Sequence, residues 1–286
     1  MLILDGKKAR DSYTERLKER ILDIGFSPTL AIIQVGKNEE SSAYIRQKKR
    51  FGDVVGAKTE HISFPENVSF AEIEEKISEL NDKEKIDGII IQLPLPAHLD
   101  KMALIRLISP EKDVDGLTEN SKFIPATARG VKSLLDFYDI PVKGKKVAML
   151  GRSMLVGAPT ARLMTDSGAH VIICHSHTAN TRDITKSSDI IIVAIGNPRL
   201  IDDTYIGENE PVVVDIGINS VKGDKLEEEI GGRTLVGDVD FDKVAPLVSA
   251  ISPVPGGVGP MTVLSLFENL VDAADKHYNE DRDLNP

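Results

Sequence analysis

A lone cysteine, Cys174, is all the thiol chemistry in these 286 residues, so the chain closes no disulfide within itself and suits a reducing compartment. Positive charge is also in short supply. Lys and Arg number 35 against 45 Asp and Glu, a formal net charge of −10. Sequence-independent nucleic-acid binding needs clustered cations facing phosphates, and the one basic run, RQKKR at 46–50, is too short to supply them. Long apolar runs are missing too: none approaches the roughly 20 residues of a membrane-spanning helix. The opening stretch MLILDGKKARDSYTERLKER turns charged by its fifth residue and holds no signal-peptide apolar core. These absences lead us to expect a cytoplasmic protein with no nucleic-acid, membrane or metal partner.

What is present is an ordinary globular composition, 41% hydrophobic and 28% charged. Apolar β-branched runs alternate with amphipathic stretches, the pattern of a parallel α/β architecture. In the first half, strands are expected at TLAIIQV (29–35), KTEHISF (58–64) and GIIIQLPL (88–95). SFAEIEEKISEL between them opens with Ser69 and carries Glu72 three residues on, a capping-box start. TENSKFIPATARG (118–130) loses periodicity and reads as a hinge. A second strand series follows at 145–150, 170–175, 189–195 and 211–217. A glycine/proline loop then leads into a long helix, with Pro260 suited to its first turn. The expected fold is therefore two α/β domains with a cleft between them. The first spans 1–118 and is completed by a C-terminal helix over 260–286; the second, 119–259, is a Rossmann-like doubly wound parallel sheet.

Five stretches carry chemistry-bearing residues. In LGRSMLVGAPT (150–160) a strand runs into Gly151 and a helix starts near Ala158–Pro159, the context of a pyrophosphate-binding turn whose helix-start amides meet the phosphate. Ser153 stands where a second glycine is usual, and a glycine returns at Gly157. An NAD site usually places an acid at the end of the next strand, but here the chain reads CHSHT (174–178). Arg152, His175 and Ser176 are donors matched to a 2′-phosphate, which favours NADP over NAD. In SSAYIRQKKRFGDVVG (41–56), with Ser41 or Ser42 as the cap, Tyr44 and Lys48 are helix neighbours at i and i+4, on a stripe with Phe51 and Val55. Partial burial would lower the lysine's pKa and make it a proton acceptor; the other reading is a lysine with its tip in water.

Gln92 follows a buried-strand run at the carboxyl end, where ligand contacts gather in open α/β sheets, though it would serve equally to satisfy a backbone group. In EKDVDG (111–116), Asp113 reads as turn chemistry, and Asp115 has the place to point into a cleft between the domains, which composition alone does not show. SPVPGGVGPMT (252–262) is a loop that either brings bare backbone to a ligand or merely stiffens a connection.

In order, SSAYIRQKK, DGIIIQLPLP, EKDVDG, GRSMLVGAP, CHSHT, VVDIGIN and PVPGGVGPMT resemble the bifunctional methylenetetrahydrofolate dehydrogenase/methenyltetrahydrofolate cyclohydrolase family along nearly the whole chain. The resemblance implies NADP-dependent oxidation of 5,10-methylenetetrahydrofolate to the methenyl form and hydrolysis of that to 10-formyltetrahydrofolate. It implies Lys48 as the catalytic lysine, oriented by Tyr44 and Gln92, and Asp115 as the group that binds the pterin. Gly151, Arg152, Ser153, His175 and Ser176 would hold NADP. Ile218 and Thr262 would line the nicotinamide pocket, and Pro255, Gly256 and Gly257 the folate side. It further implies tetrahydrofolate derivatives, polyglutamylated or not, as partners and a homodimer joined through the cofactor domains. Two departures stand out: PATARG (125–130) where the family usually reads PCTPxG, and His177 where a basic residue is common. Tyr-x-x-x-Lys is also the pair of short-chain dehydrogenases, but there the glycine turn comes first. A non-catalytic nucleotide sensor is the other alternative, and it would not reduce its cofactor with methylenetetrahydrofolate.

Overall fold

The structure, a computed structural model, describes residues 1–222 and 233–284, with side chains to Val221 and from Thr234 to Asp275. In chain order the elements are β1 (Leu2–Ile3), α1 (Gly6–Ile24), β2 (Thr29–Val35), α2 (Glu39–Val55), β3 (Lys58–Phe64), α3 (Phe70–Asp82), β4 (Gly88–Ile91), α4 (Lys101–Ile105) and α5 (Ala126–Phe137). There follow β5 (Lys146–Leu150), α6 (Gly157–Asp166), β6 (His170–Cys174), α7 (Thr181–Lys186), β7 (Ile190–Val193), β8 (Val212–Asp215), β9 (Asn219–Lys222), β10 (Arg233–Val236), α8 (Phe241–Val244), β11 (Ala250–Ile251) and α9 (Val258–Leu284). The chain divides into two compact units: Tyr13–Ala126 with Val263–Pro286, and Met1–Ser12 with Thr127–Thr262. None of the described helices is long and apolar enough to cross a membrane.

The first unit is built on a parallel sheet of order β3-β2-β4. β2 and β4 are buried along almost their whole length, as strands covered on both faces must be. The capping box of Ser69 and Glu72 forms at the start of α3, whose Ile73, Ile77 and Leu80 pack inward. From α9, Phe267 and Leu270 join this core. A Cβ at Gly88 would lie only 2.8 Å from Leu270, and Phe51 meets Phe267 edge-to-face at 5.5 Å. The strand expected over 88–95 ends at Ile91, and Pro94 and Pro96 beyond it have no N–H with which to continue a ladder.

The second unit holds an all-parallel six-stranded sheet of order β1-β11-β8-β7-β5-β6. Its core on one face gathers Leu150, Ile191, Val193, Val213, Val244 and Ile251. The expected domain division places the first twelve residues with the other unit; β1 pairs with β11 and brings them here. The expected hinge over 118–130 is also helical from Ala126, since Ala126, Ala128, Val131, Leu134 and Leu135 give α5 a buried face. Gly130 lies inside α5 where it approaches the first turn of α9: a Cβ there would be 2.9 Å from the Met261 carbonyl carbon. The antiparallel β9–β10 pair escaped the sequence reading. α9 starts at Val258 and runs to Leu284, and the last two residues of the expected 260–286 helix lie outside those described.

Candidate active site and dinucleotide turn

α2 carries the lysine. Its cap is Asn38 rather than either serine: the Asn38 side chain accepts from the Ser41 N–H at 2.9 Å. Ser41 is buried, and its hydroxyl donates to the Leu93 carbonyl at 3.3 Å. From this start Phe51 and Val55 face the core, and Tyr44 and Lys48 are half-buried on the same stripe. Lys48 Nζ donates to Gln92 Oε1 at 2.9 Å. Gln92 in turn donates from Nε2 to the Leu93 carbonyl at 2.9 Å, which fixes its amide with the oxygen toward the lysine. The backbone N–H of Gln92 extends the ladder by one residue, donating to the Ile33 carbonyl at 2.8 Å. The glutamine is thus set by the strand and does not merely satisfy a backbone group.

Asp115 completes the cluster. Burial holds the Lys48 ammonium below its ordinary pKa, partly opposed by the Asp115 charge. Burial likewise pushes Asp115 up, and Lys48 partly offsets this. Each charge thus moderates the shift that burial imposes on the other. The EKDVDG loop that delivers Asp115 uses each charged residue differently. Lys112, only 6% exposed, donates to the carbonyls of Leu80, Asn81 and Lys83 at 3.2, 2.7 and 2.9 Å, closing the last turn of α3. Asp113 accepts from the Thr118 N–H and hydroxyl, both at 2.8 Å, as turn chemistry expects. Gly116 has φ +73°, and a Cβ there would lie 2.7 Å from Pro125.

Asn269 on α9 then grips both arms of the loop, donating from Nδ2 to the carbonyls of Val114 at 2.8 Å and Ile124 at 2.9 Å. The sequence reading passed over Asn269, whose one signal is a polar amide in the apolar run VLSLFENLV.

In the other unit, β5 runs into Gly151, and the Gly151 N–H donates to the Cys174 carbonyl at 2.9 Å, which seats the turn beside His175. Gly151 has φ +108°, and a Cβ there would overlap the Ala194 carbonyl oxygen. A Cβ at Gly157 would overlap the Gly151 carbonyl oxygen, so α6 packs on the turn through a bare backbone. Ser153 explains itself. Its Oγ accepts from the N–H groups of Val156 at 3.3 Å and Gly157 at 3.2 Å, and its carbonyl accepts from Ala158 N–H at 3.0 Å. The helix-start amides expected to meet a phosphate are therefore engaged by Ser153. Outward donors in the turn include the Ser153 hydroxyl proton and the exposed Arg152 guanidinium.

At the end of β6, His175 Nδ1 accepts from the His177 N–H at 3.1 Å, which leaves the ring proton of the neutral form on Nε2. Ser176 and His177 are exposed there, with no carboxylate in the CHSHT run. Ile218, just past β8, is 43% exposed. In the 252–262 loop Pro255 is exposed and Gly256 takes φ +104°. Gly257 N–H donates to the Pro253 carbonyl at 2.8 Å, and a Cβ at Gly257 would lie 2.6 Å from that oxygen. Thr262 Oγ1 donates back to the Val258 carbonyl at 3.3 Å. The features a dinucleotide phosphate requires, a bare glycine turn, an exposed arginine and no facing acid, are all present in this unit.

Residues 4–115 match the tetrahydrofolate dehydrogenase/cyclohydrolase catalytic domain, and residues 125–278 match the NAD(P)-binding domain of the same family. The chain is 40% identical over 281 residues to the bifunctional protein FolD 2 of Lactobacillus johnsonii, covering 94% of this chain and 96% of that protein. The bifunctional protein FolD of Bacillus anthracis is 38% identical, with 96% of each chain covered. Among solved structures, the bifunctional FolD enzyme of Campylobacter jejuni superposes with a TM-score of 0.88 at 36% identity, covering 96% of this chain and 99% of that one. The Trypanosoma brucei enzyme, complexed with NADP cofactor and inhibitor, gives 0.89 at 32% identity, covering 100% and 99%. With its lysine site and its glycine turn on the two matching domains, this chain belongs to the tetrahydrofolate dehydrogenase/cyclohydrolase family.

Proposed function

We propose that the three-stranded unit binds folate and the six-stranded unit binds NADP, and that the chain oxidises 5,10-methylenetetrahydrofolate and then hydrolyses the methenyl product to 10-formyltetrahydrofolate. The observation that carries this is the Lys48–Gln92 bond of 2.9 Å beside Asp115, with the lysine made less basic by burial. Gly151, Arg152, Ser153, His175 and Ser176 hold the dinucleotide, with Ile218 and Thr262 toward its nicotinamide. NADP, when bound, accepts the hydride. The protein's share of that step is orientation, since the folate nitrogens stabilise the developing cation.

Hydrolysis asks more of the side chains. A water attacks the bridging carbon, and its proton passes to Lys48 Nζ, whose lone pair is available because burial disfavours the ammonium. The carbinol oxygen then gives up its remaining proton as the carbon–N5 bond opens, N5 takes the bonding pair and a proton, and the formyl group stays on N10. Gln92 Oε1 keeps the amine in place, Tyr44 shares its helix face, and Asp115 binds the pterin. Pro255, Gly256 and Gly257 serve the folate.

The enzyme is cytoplasmic, takes no nucleic-acid or membrane partner, and works as a homodimer through its cofactor units. The edge strand β6 supports the dimer, since it carries Ile172 and Ile173 at 46% and 42% exposure with an open ladder.

The test is purified protein with methylenetetrahydrofolate and NADP, following methenyl absorbance. Lys48→Met should abolish hydrolysis of supplied methenyltetrahydrofolate while folate still binds. Undiminished hydrolysis in that variant would remove the lysine from the mechanism.

A further inference from the structure

Two buried acids outside the lysine site, Asp215 and Asp238, are 3% and 0% exposed. Asp238 is the more heavily engaged. Its Oδ2 accepts from the backbone N–H groups of Ile195 at 2.6 Å and Gly196 at 2.8 Å. Its Oδ1 accepts from the Asn197 N–H at 2.9 Å and from Asn219 Nδ2 at 2.8 Å. Three consecutive backbone donors converging on one carboxylate make a nest, which usually receives an anion and here receives a side chain. The nest is the loop after β7, and its outer surface at 195–197 is exposed.

This loop adjoins two parts of the proposed cofactor site, the glycine turn and the segment that bears Ile218. Its first residue, Ala194, supplies the carbonyl that a Cβ at Gly151 would strike. Asn219 follows Ile218, and a Cβ at Gly217 would overlap the Asp238 carboxylate itself. Asp215 holds the chain segment that bears Asp238: its Oδ1 accepts from Gly217 N–H at 2.9 Å and Asp238 N–H at 3.2 Å, and its Oδ2 from Val239 N–H at 2.9 Å. A Cβ at Gly237 would in turn overlap Asp215. The segments DIGIN and GDVD are therefore interlocked, each acid seated over the other's glycine.

We propose that Asp238 is a positioning residue of the dinucleotide site, its carboxylate fixing the loops after β7 and β8 in the shape that receives NADP. It touches neither substrate nor cofactor; it sets the backbone that does. The inference rests on the cofactor reading above.

Asp238→Asn tests it, because the new amide would turn N–H groups toward N–H donors. Gly217→Ala displaces the same carboxylate without changing its charge. Direct NADP titration by fluorescence or calorimetry, on folded protein verified by its melting curve, should show affinity falling by about tenfold or more in each variant. Asn219→Ala, which removes one donor of four, should give a smaller loss and keeps the test open should either variant fail to fold. Hydrolysis of supplied methenyltetrahydrofolate, which consumes no dinucleotide, should change far less than the KM for NADP. Unchanged NADP affinity in folded Asp238→Asn would overturn the inference and leave the cofactor reading standing. A parallel fall of both activities would reduce Asp238 to a structural role. If the wild-type protein takes up no NADP, the cofactor reading fails first and this inference with it.

Discussion

At the residue scale the most informative pair is Lys48 and Asp115. Burial lowers the lysine's pKa and Asp115 raises it, so the two effects oppose each other at one nitrogen. Removing the carboxylate charge leaves desolvation alone. In Asp115→Asn the lysine therefore loses its proton more readily, and the acid limb of the hydrolysis pH profile should move to lower pH even as folate binding weakens. A limb that stays in place, or moves up, would mean that another group titrates there. Arg152 makes a second residue-scale case. It is exposed in the glycine turn, and the adjoining CHSHT run offers no carboxylate for a ribose hydroxyl. Arg152→Ala should raise the KM for NADP by about ten- to a hundredfold, the loss of one charge-assisted contact, and the KM for NAD far less. Equal effects on both cofactors would show that Arg152 does not read the 2′-phosphate.

At the element scale, α9 supplies the amide that holds the Asp115 loop from a great distance in sequence. Asn269 lies 155 residues from Val114 and 145 from Ile124. Asn269→Ala leaves two loop carbonyls without this donor and should cost on the order of 2–3 kcal/mol of stability, read by urea unfolding. It should also raise the KM for folate more than the KM for NADP, because the loop presents Asp115; a uniform fall in kcat alone would speak against that. The same residue marks the limit of what the sequence discloses. Helix spacing put Lys48 beside Tyr44 and a strand end marked Gln92, while Asp115, in an aperiodic loop, was singled out only through the family resemblance of EKDVDG. The parallel strands were legible as β-branched runs. Asn269 and Asp238 were not, since nothing within ten residues of either says which backbone it will meet. Ser153 lies between these cases. Its departure from glycine was plain, but its use as a cap for α6 depended on where the helix began, and that was displaced by one residue.

At the scale of the whole molecule, charge and burial act together on stability. The chain carries a formal net charge of −10, so raising the pH through the carboxylate range adds self-repulsion to the folded state. Asp215 adds a specific share. Burial pushes its carboxyl up to about 7, the neighbouring Asp238 charge adds to this, and backbone donors from Val239, Asp238 and Gly217 pull it down. The unfolded chain releases that proton in the ordinary carboxylate range. Between that range and about 7 the native state holds a proton that the unfolded state has lost, so folding stability must fall as pH rises across this window.

The general repulsion obscures this in the wild type alone, but a variant cancels it. Asp215→Asn has the same remaining charges and no titration at this site. It also lacks an oxygen that accepts from Val239 or Gly217, so it is the less stable protein at low pH. The wild-type advantage should therefore be larger at about pH 5 than at about pH 8, shrinking between them as Asp215 ionises in its buried seat. Urea unfolding of both proteins across that range reads the difference directly. An advantage that stays level across that range would mean the folded carboxyl is ionised throughout, with the backbone donors outweighing its burial.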